Sequence, residues 1–188
     1  MRYFTTSYIE KENQMKFNNR PNNVYIVDGK EVWESRSPAV VAVVLAIIDN
    51  KYYILAEKRS QNMSDEPGKW ALPSGYLDWD ENGYEGIIRE VYEETSFHIP
   101  DYKLFQIYDN NKEPFFVNTD PKENRQNVSL SYIFTYEFDK NLPNIESYSD
   151  SEIDKVRWIR LGDVSEYKWA FNHEERIESG VNHFHGAI

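Results

Sequence analysis

Gly75, five residues, Glu81, seven residues, then Arg89-Glu90-Val91-Tyr92-Glu93-Glu94-Thr95-Ser96-Phe97: this stretch decides how the chain is read. At about 100° per residue, Ile87, Ile88, Val91, Tyr92 and Thr95 fall within an arc of roughly 140° on a helix over 83–95. That arc predicts the buried face. Glu90, Glu93 and Glu94 fall together on the other flank, so the apolar stripe aims the acids at a loop or cleft. Asn82 with Glu85 three residues later predicts an N-cap closed by a capping box. Pro100 ends the helix soon after Thr95 or Ser96.

The acids are crowded. Glu90 and Glu94 form a like-charge i,i+4 pair, which destabilises an exposed helix by about 0.2–0.5 kcal/mol. Arg89 precedes Glu93 by four residues and offsets one acid. Asp78, Asp80 and Glu81 lie just upstream and worsen the balance. A hard divalent cation with oxygen ligands relieves it. Magnesium suits, because it accepts a few carboxylates and keeps positions for water and substrate phosphate. An isolated Glu-Glu pair reads as a solvated helix face. Six fixed identities at these spacings match a given start on the order of 10⁻⁷ of the time at average residue usage. Coincidence therefore does not account for this stretch.

The rest of the composition bounds the function. A chain of 188 residues, 40% hydrophobic, suits one domain with a decorated core. Its net charge of −11 opposes non-specific binding to nucleic acid or anionic membrane. A small anionic substrate stays within reach through local positive charge and metal ions. The chain has no cysteine, so disulfides, zinc-thiolate sites and cysteine nucleophiles are excluded. That composition fits a reducing compartment and gives a cytoplasmic expectation. Residues 1–12 are polar and lack the apolar core of a signal peptide. The longest apolar run, Ala39–Ile48, is too short to span a bilayer and reads as a buried strand.

Residues 1–36 are expected to form an N-terminal arm and a hairpin, and residues 37–188 the main domain. Val24–Val27 and Lys30–Trp33 flank Asp28-Gly29, which suits a type I′ turn. Ala39–Ile48 predicts a central strand covered on both faces, turned at Asp49-Asn50 and continued by Tyr52–Ala56. Residues 58–68 read as a loop. Tyr102–Tyr108, Phe115–Val117 and Lys155–Arg160 read as further strands. Val128–Phe138 alternates well and predicts a half-buried strand, with Ser129, Ser131, Thr135 and Glu137 on the polar face. A terminal helix is expected from Phe171 onward.

The segment 75–97 resembles the Nudix box, G-x5-E-x7-R-E-U-x-E-E-x-G-U with U apolar. Gly75, Glu81, Arg89, Glu90, Val91, Glu93, Glu94 and Phe97 match. Ser96 replaces the glycine that closes the helix in a left-handed conformation. It removes no ligand. The resemblance implies an α/β fold, the Nudix-type α/β/α sandwich with a mixed sheet. It also implies hydrolysis of a nucleoside diphosphate linked to another group, with Mg²⁺ or Mn²⁺. Carried across, Glu90 and Glu94 are the main metal ligands, Glu93 a third, and the Gly75 carbonyl completes the loop side. Arg89 orients the glutamates. Glu81 braces the loop or takes an outer metal. The catalytic base lies either in the box, as Glu93, or in a later loop, where Glu152 is the candidate.

Outside the box, Asp120-Pro121, Arg125, Val128-Ser129 and Tyr132 resemble a pattern of ADP-ribose-hydrolysing Nudix proteins and their regulator relatives. Trp169-Ala170-Phe171-Asn172-His173 resembles the stretch opening the last helix of that branch, with Asn172 in place of Asp. The resemblance implies ADP-ribose or another nucleotide sugar as the small nucleotide substrate, with Arg59, Arg125 and Ser129 binding it. Arg125 either holds a phosphate or decorates a loop. Arg59 either reaches the diphosphate or solvates a strand end. His173 reads as a surface residue at a helix start. A non-catalytic nucleotide-sugar sensor and a (d)NTP or dinucleoside polyphosphate hydrolase are the competing readings. The intact acids favour catalysis over sensing. Members often dimerise, so residues 1–36 could serve a homodimer, and neither nucleic acid nor membrane is an expected partner.

Overall fold

The computed structural model describes residues 23–33, 38–101, 112–120, 127–147 and 151–186. Nine strands and two α-helices lie within them: β1 Val24–Val27, β2 Lys30–Trp33, β3 Ala39–Ile48, β4 Lys51–Arg59, β5 Trp70–Ala71, β6 Ser74–Tyr76, α1 Gly83–Thr95, β7 Phe116–Asn118, β8 Ser129–Glu137, β9 Ile153–Arg160 and α2 His173–Gly186. β1 and β2 pair only with each other, as the Asp-Gly signal predicts, with φ of 51° at Asp28 and 75° at Gly29. The expected strand at 102–108 and the candidate ligand Arg125 lie outside the described residues.

The seven remaining strands form one mixed sheet. β3 runs parallel to β8 and antiparallel to β4 and β6. β8 occupies one edge of β3 along nearly its whole length, so β4 and β6 must share the other. β9 likewise holds one edge of β4, leaving the opposite edge to β3 and then β5. β3 and β4 therefore diverge like a fork. The chain crosses the opening between β5 on one tine and β6 on the other. At the crossing, the Ala42 N–H donates to the Pro73 carbonyl (2.9 Å). This fork is the feature that positions the site.

α1 covers one face of the sheet and α2 the other. Ile87 and Val91 pack with Val40, Ala42, Val44 and Leu55 beneath α1. Ile177 and Phe184 pack with Val43, Leu45, Ile54 and Ile133 beneath α2. Neighbouring residues of one strand thus enter different cores, which is why β3 is apolar throughout. β8 corrects the alternation argument. Its Ser131 and Thr135 face is not solvated; both residues are buried under the α2 layer, and their hydroxyl oxygens lack hydrogen-bond partners among the described residues. Alternation reports two environments of different polarity, and here the more polar one is still interior.

Candidate active site

α1 begins as its sequence dictates. The Asn82 side chain accepts from the Tyr84 and Glu85 N–H groups at 3.0 Å, and Glu85 accepts from the Asn82 N–H, closing the capping box. The helix ends on Ser96, left-handed at φ 59° in the place of the family's glycine. Its hydroxyl donates to the Glu146 carbonyl at 2.7 Å, and the Glu146 N–H donates to the Thr95 carbonyl. These local bonds offset the strain of a non-glycine residue there.

Arg89 sits at the centre of the acids with its side chain 3% exposed. It donates to Glu81 (2.6 and 3.1 Å), Glu90 (2.7 Å), Glu93 (3.1 Å) and the Tyr76 carbonyl (3.1 Å). Burial alone would lower its pKa; the bonds and charges of Glu81 and Glu90 outweigh that and raise it. The helix thereby grips the loop ahead of it. Glu81 accepts from the Asp78 N–H (2.7 Å) as well, so Glu81 braces the loop from both sides.

Glu90 and Glu94 converge on the glycine loop. Glu94 accepts from the Ser74 N–H at 2.8 Å. Gly75 approaches Glu90 so closely that a Cβ there would lie 2.2–2.6 Å from its carboxylate atoms. A side chain there would have to push the Glu90 carboxylate aside. Glu93 is different: its side chain is 50% exposed and is tied to Arg89.

A further acid joins them that sequence reasoning missed. Glu57, on β4, is 1% exposed and hydrogen-bonded to Glu94. Its only sequence signal was an acid directly after the apolar run Ile54–Ala56. Burial pushes Glu57 up to about 8; the charges of Glu90 and Glu152 push the same way, against Glu94 and Arg59. Burial pushes Glu90 to about 7 against the pull of Arg89, and holds Glu94 well above the usual range. These groups repel one another in a desolvated space.

Among the described residues, no three acidic or histidine side chains stand in ready ligating geometry. Protein donors engage Glu90 and Glu94 instead. The donor chemistry nonetheless fits a hard divalent cation: clustered carboxylates, a glycine backbone, and on Glu57 a buried Oε2 with no hydrogen-bond partner.

Glu152 precedes β9 and is exposed; its carbonyl accepts from the Ser60 N–H (2.7 Å), and its charge acts on Glu57. The structure therefore brings it to the same end of β4 as the acids. Arg59 donates to the Asp65 carbonyl (3.0 and 3.2 Å) and stacks over Phe171 at 4.8 Å, holding the loop after β4. Ser129 lies at the start of β8, paired with Ala39, on the face that continues to Ser131 and away from α1. It is not gathered with the carboxylates. His173 is buried, not a surface residue: its Nδ1 accepts the Leu72 N–H at 2.9 Å. A backbone amide can only donate, so that nitrogen carries no proton.

The sequence pattern of the NUDIX domain matches residues 38–179. The chain belongs to the Nudix domain family. A MutT-like protein of Streptomyces ambofaciens is 34% identical to this Nudix chain over 79 residues, 41% of this chain and 48% of that protein. The matched stretches span half or less of the curated relatives' own length. The NUDIX domain of Shewanella oneidensis NrtR, solved with ADP ribose, aligns at a TM-score of 0.59 and 22% identity, over 80% of this chain and 90% of that one. A bifunctional NMN adenylyltransferase/ADP ribose pyrophosphatase from Francisella tularensis, solved with AMP and a Mn ion, aligns at 0.57 and 23% identity, over 80% of this chain and 42% of that one. These likenesses establish the Nudix α/β/α sandwich as the fold.

Proposed function

We propose that this Nudix protein hydrolyses the diphosphate linkage of a nucleoside diphosphate-X substrate, ADP-ribose or another nucleotide sugar, with Mg²⁺ or Mn²⁺. The observation that carries the reading is the convergence of the Glu90 and Glu94 carboxyls on the Gly75 loop inside a desolvated pocket. Glu90, Glu94, Glu93 and the Gly75 carbonyl would hold the cation. When bound, such a cation neutralises diphosphate oxygens and makes a water more acidic. Arg89 keeps the glutamates oriented through its bonds to Glu81, Glu90 and Glu93. Glu93 or Glu152 takes the proton from the attacking water, both being exposed enough to reach it. Water adds across one P–O–P bond and yields two phosphate monoesters.

The ADP-ribose preference rests on the sequence stretches around Asp120–Tyr132 and Trp169–His173. The reading takes residues 37–188 as the Nudix domain and residues 1–36 as an arm that could serve a homodimer. It sets the reaction in the cytoplasm, in keeping with a cysteine-free chain.

The test is a screen of ADP-ribose, other sugar nucleotides, dinucleoside polyphosphates, NADH and (d)NTPs with Mg²⁺, products resolved by ion exchange. AMP and ribose 5-phosphate are expected from ADP-ribose, with Glu94→Gln inactive. Turnover of ADP-ribose no faster than of the others would remove the substrate assignment. Wild-type rates in Glu93→Gln and Glu94→Gln would remove the residue roles. Stoichiometric binding of ADP-ribose without consumption would identify a sensor.

A further inference from the structure

We propose that Glu57, on β4 and outside the Nudix box, is a direct ligand of the divalent cation, closing from the sheet side a carboxylate set that α1 leaves open. This deepens the functional reading above and rests on it.

The contrast between two buried acids carries the inference. Glu81 has donors on both oxygens, from Arg89 and from the Asp78 N–H. That is how a structural buried carboxylate is satisfied. Glu57 is as deeply buried, yet its Oε2 meets no hydrogen-bond donor among the described residues. Leaving such an oxygen unsatisfied is costly, the more so if it is charged.

Its polar neighbours leave that oxygen without a donor. Glu57 bonds to Glu94 and feels Glu90 and Glu152, all acids. Arg59 is the positive charge acting on it, but that guanidinium is engaged by the Asp65 carbonyl and the Phe171 ring. Nor can Glu57 swing out to water. Its backbone is fixed on both edges, paired with Ala71 and with Val156. Leu55, two residues earlier, packs in the core under α1, so the pleat aims Glu57 at the same face as Glu90 and Glu94. An oxygen held there, beside two carboxylates already assigned to a cation, is placed to join them on it.

The experiment measures metal without nucleotide. Mn²⁺ is titrated into wild type, Glu57→Gln, Glu57→Asp and Glu94→Gln, free ion being read by electron paramagnetic resonance. Water-proton relaxation then reports how many exchanging waters the bound ion keeps. Glu57→Gln is expected to bind Mn²⁺ at least about tenfold more weakly and to show a more hydrated ion, with Glu57→Asp between it and wild type. Wild-type affinity in Glu57→Gln beside loss in Glu94→Gln would overturn the assignment and leave the wider reading standing. Weaker binding with unchanged hydration would make Glu57 merely structural and would also overturn it. No Mn²⁺ binding by wild type would sink both. Should Glu57→Gln fail to fold, the same two readouts on Glu57→Asp decide the matter.

Discussion

Replacing Arg89 by methionine removes the cation bonded to Glu81, Glu90 and Glu93 while keeping an apolar stem. Its side chain is 3% exposed and that of its nearest partner, Glu81, is 2% exposed. Removing one partner of a buried ion pair costs about 3–5 kcal/mol, because the other charge is left uncompensated. For a chain of this size each kcal/mol lowers Tm by roughly 2–4 °C. Arg89→Met should therefore melt about 6–20 °C below wild type in EDTA. Most of that loss belongs to the abandoned acid, so a double-mutant cycle can show it. Glu81→Gln in the Arg89→Met background should recover about 1–3 kcal/mol, although Glu81→Gln alone destabilises. Arg89→Lys should fall between, since one ammonium cannot make the forked contacts to Glu81, Glu90 and Glu93 at once. Calorimetry at fixed pH measures all of these. An Arg89→Met protein melting within 2 °C of wild type, or a cycle with no coupling to Glu81, would refute the account of what joins the helix to its loop.

Three other perturbations read other parts of the site. Metal-free stability should fall as pH rises: Glu57 and Glu90 titrate near 8 and 7 when folded, against 4.5 as their ordinary value, so the folded chain holds protons that the unfolded chain has released. That contribution is complete below about 4.5 and lost through 7 to 8; Tm in EDTA should drop over this window, less so in Glu57→Gln, and Mg²⁺ should raise Tm more at its alkaline end. Gly75→Ala should lower kcat/KM on the order of 10²-fold with little change in Tm, because the added methyl must push the Glu90 carboxylate aside by about 1 Å; unimpaired turnover would show that the Gly75–Glu90 contact is slack. At the helix end, Ser96→Ala keeps the left-handed strain and loses the bond to Glu146, whereas Ser96→Gly loses the bond but sheds the strain. Urea denaturation should find the glycine variant more stable than the alanine one by about 1 kcal/mol, and equal values would deny any strain at this cap.

What could be read in advance was local. The capping box at Asn82, the apolar stripe of α1 and the stop at Ser96 depend on residues within a few positions of each other. The central, doubly covered β3 was legible because ten consecutive apolar residues leave few alternatives. Glu57 was not legible. In sequence it stands next to Lys58 and Arg59 and looks like the solvated end of a strand. It is buried because β4 diverges from β3 and receives β5 and β9 on its two edges, an arrangement set by residues far away. The polar side of β8 misled for a kindred reason: nothing near Ser131 says that α2 will lie over it. His173 faces a distant amide, that of Leu72, 101 positions away.

The parting of β3 from β4 has an evolutionary consequence. The proposed chemistry is confined to the crotch, where short segments meet and Gly75 lies against the Glu90 carboxylate. The residues at 60–69 join β4 to β5 and carry little of the interior, Ser60 being the buried one among them. A lineage can lengthen or rewrite them to recognise a new leaving group without disturbing how the anhydride is broken. Selectivity in such an architecture is a matter of accessories, and a new one leaves the two cores untouched.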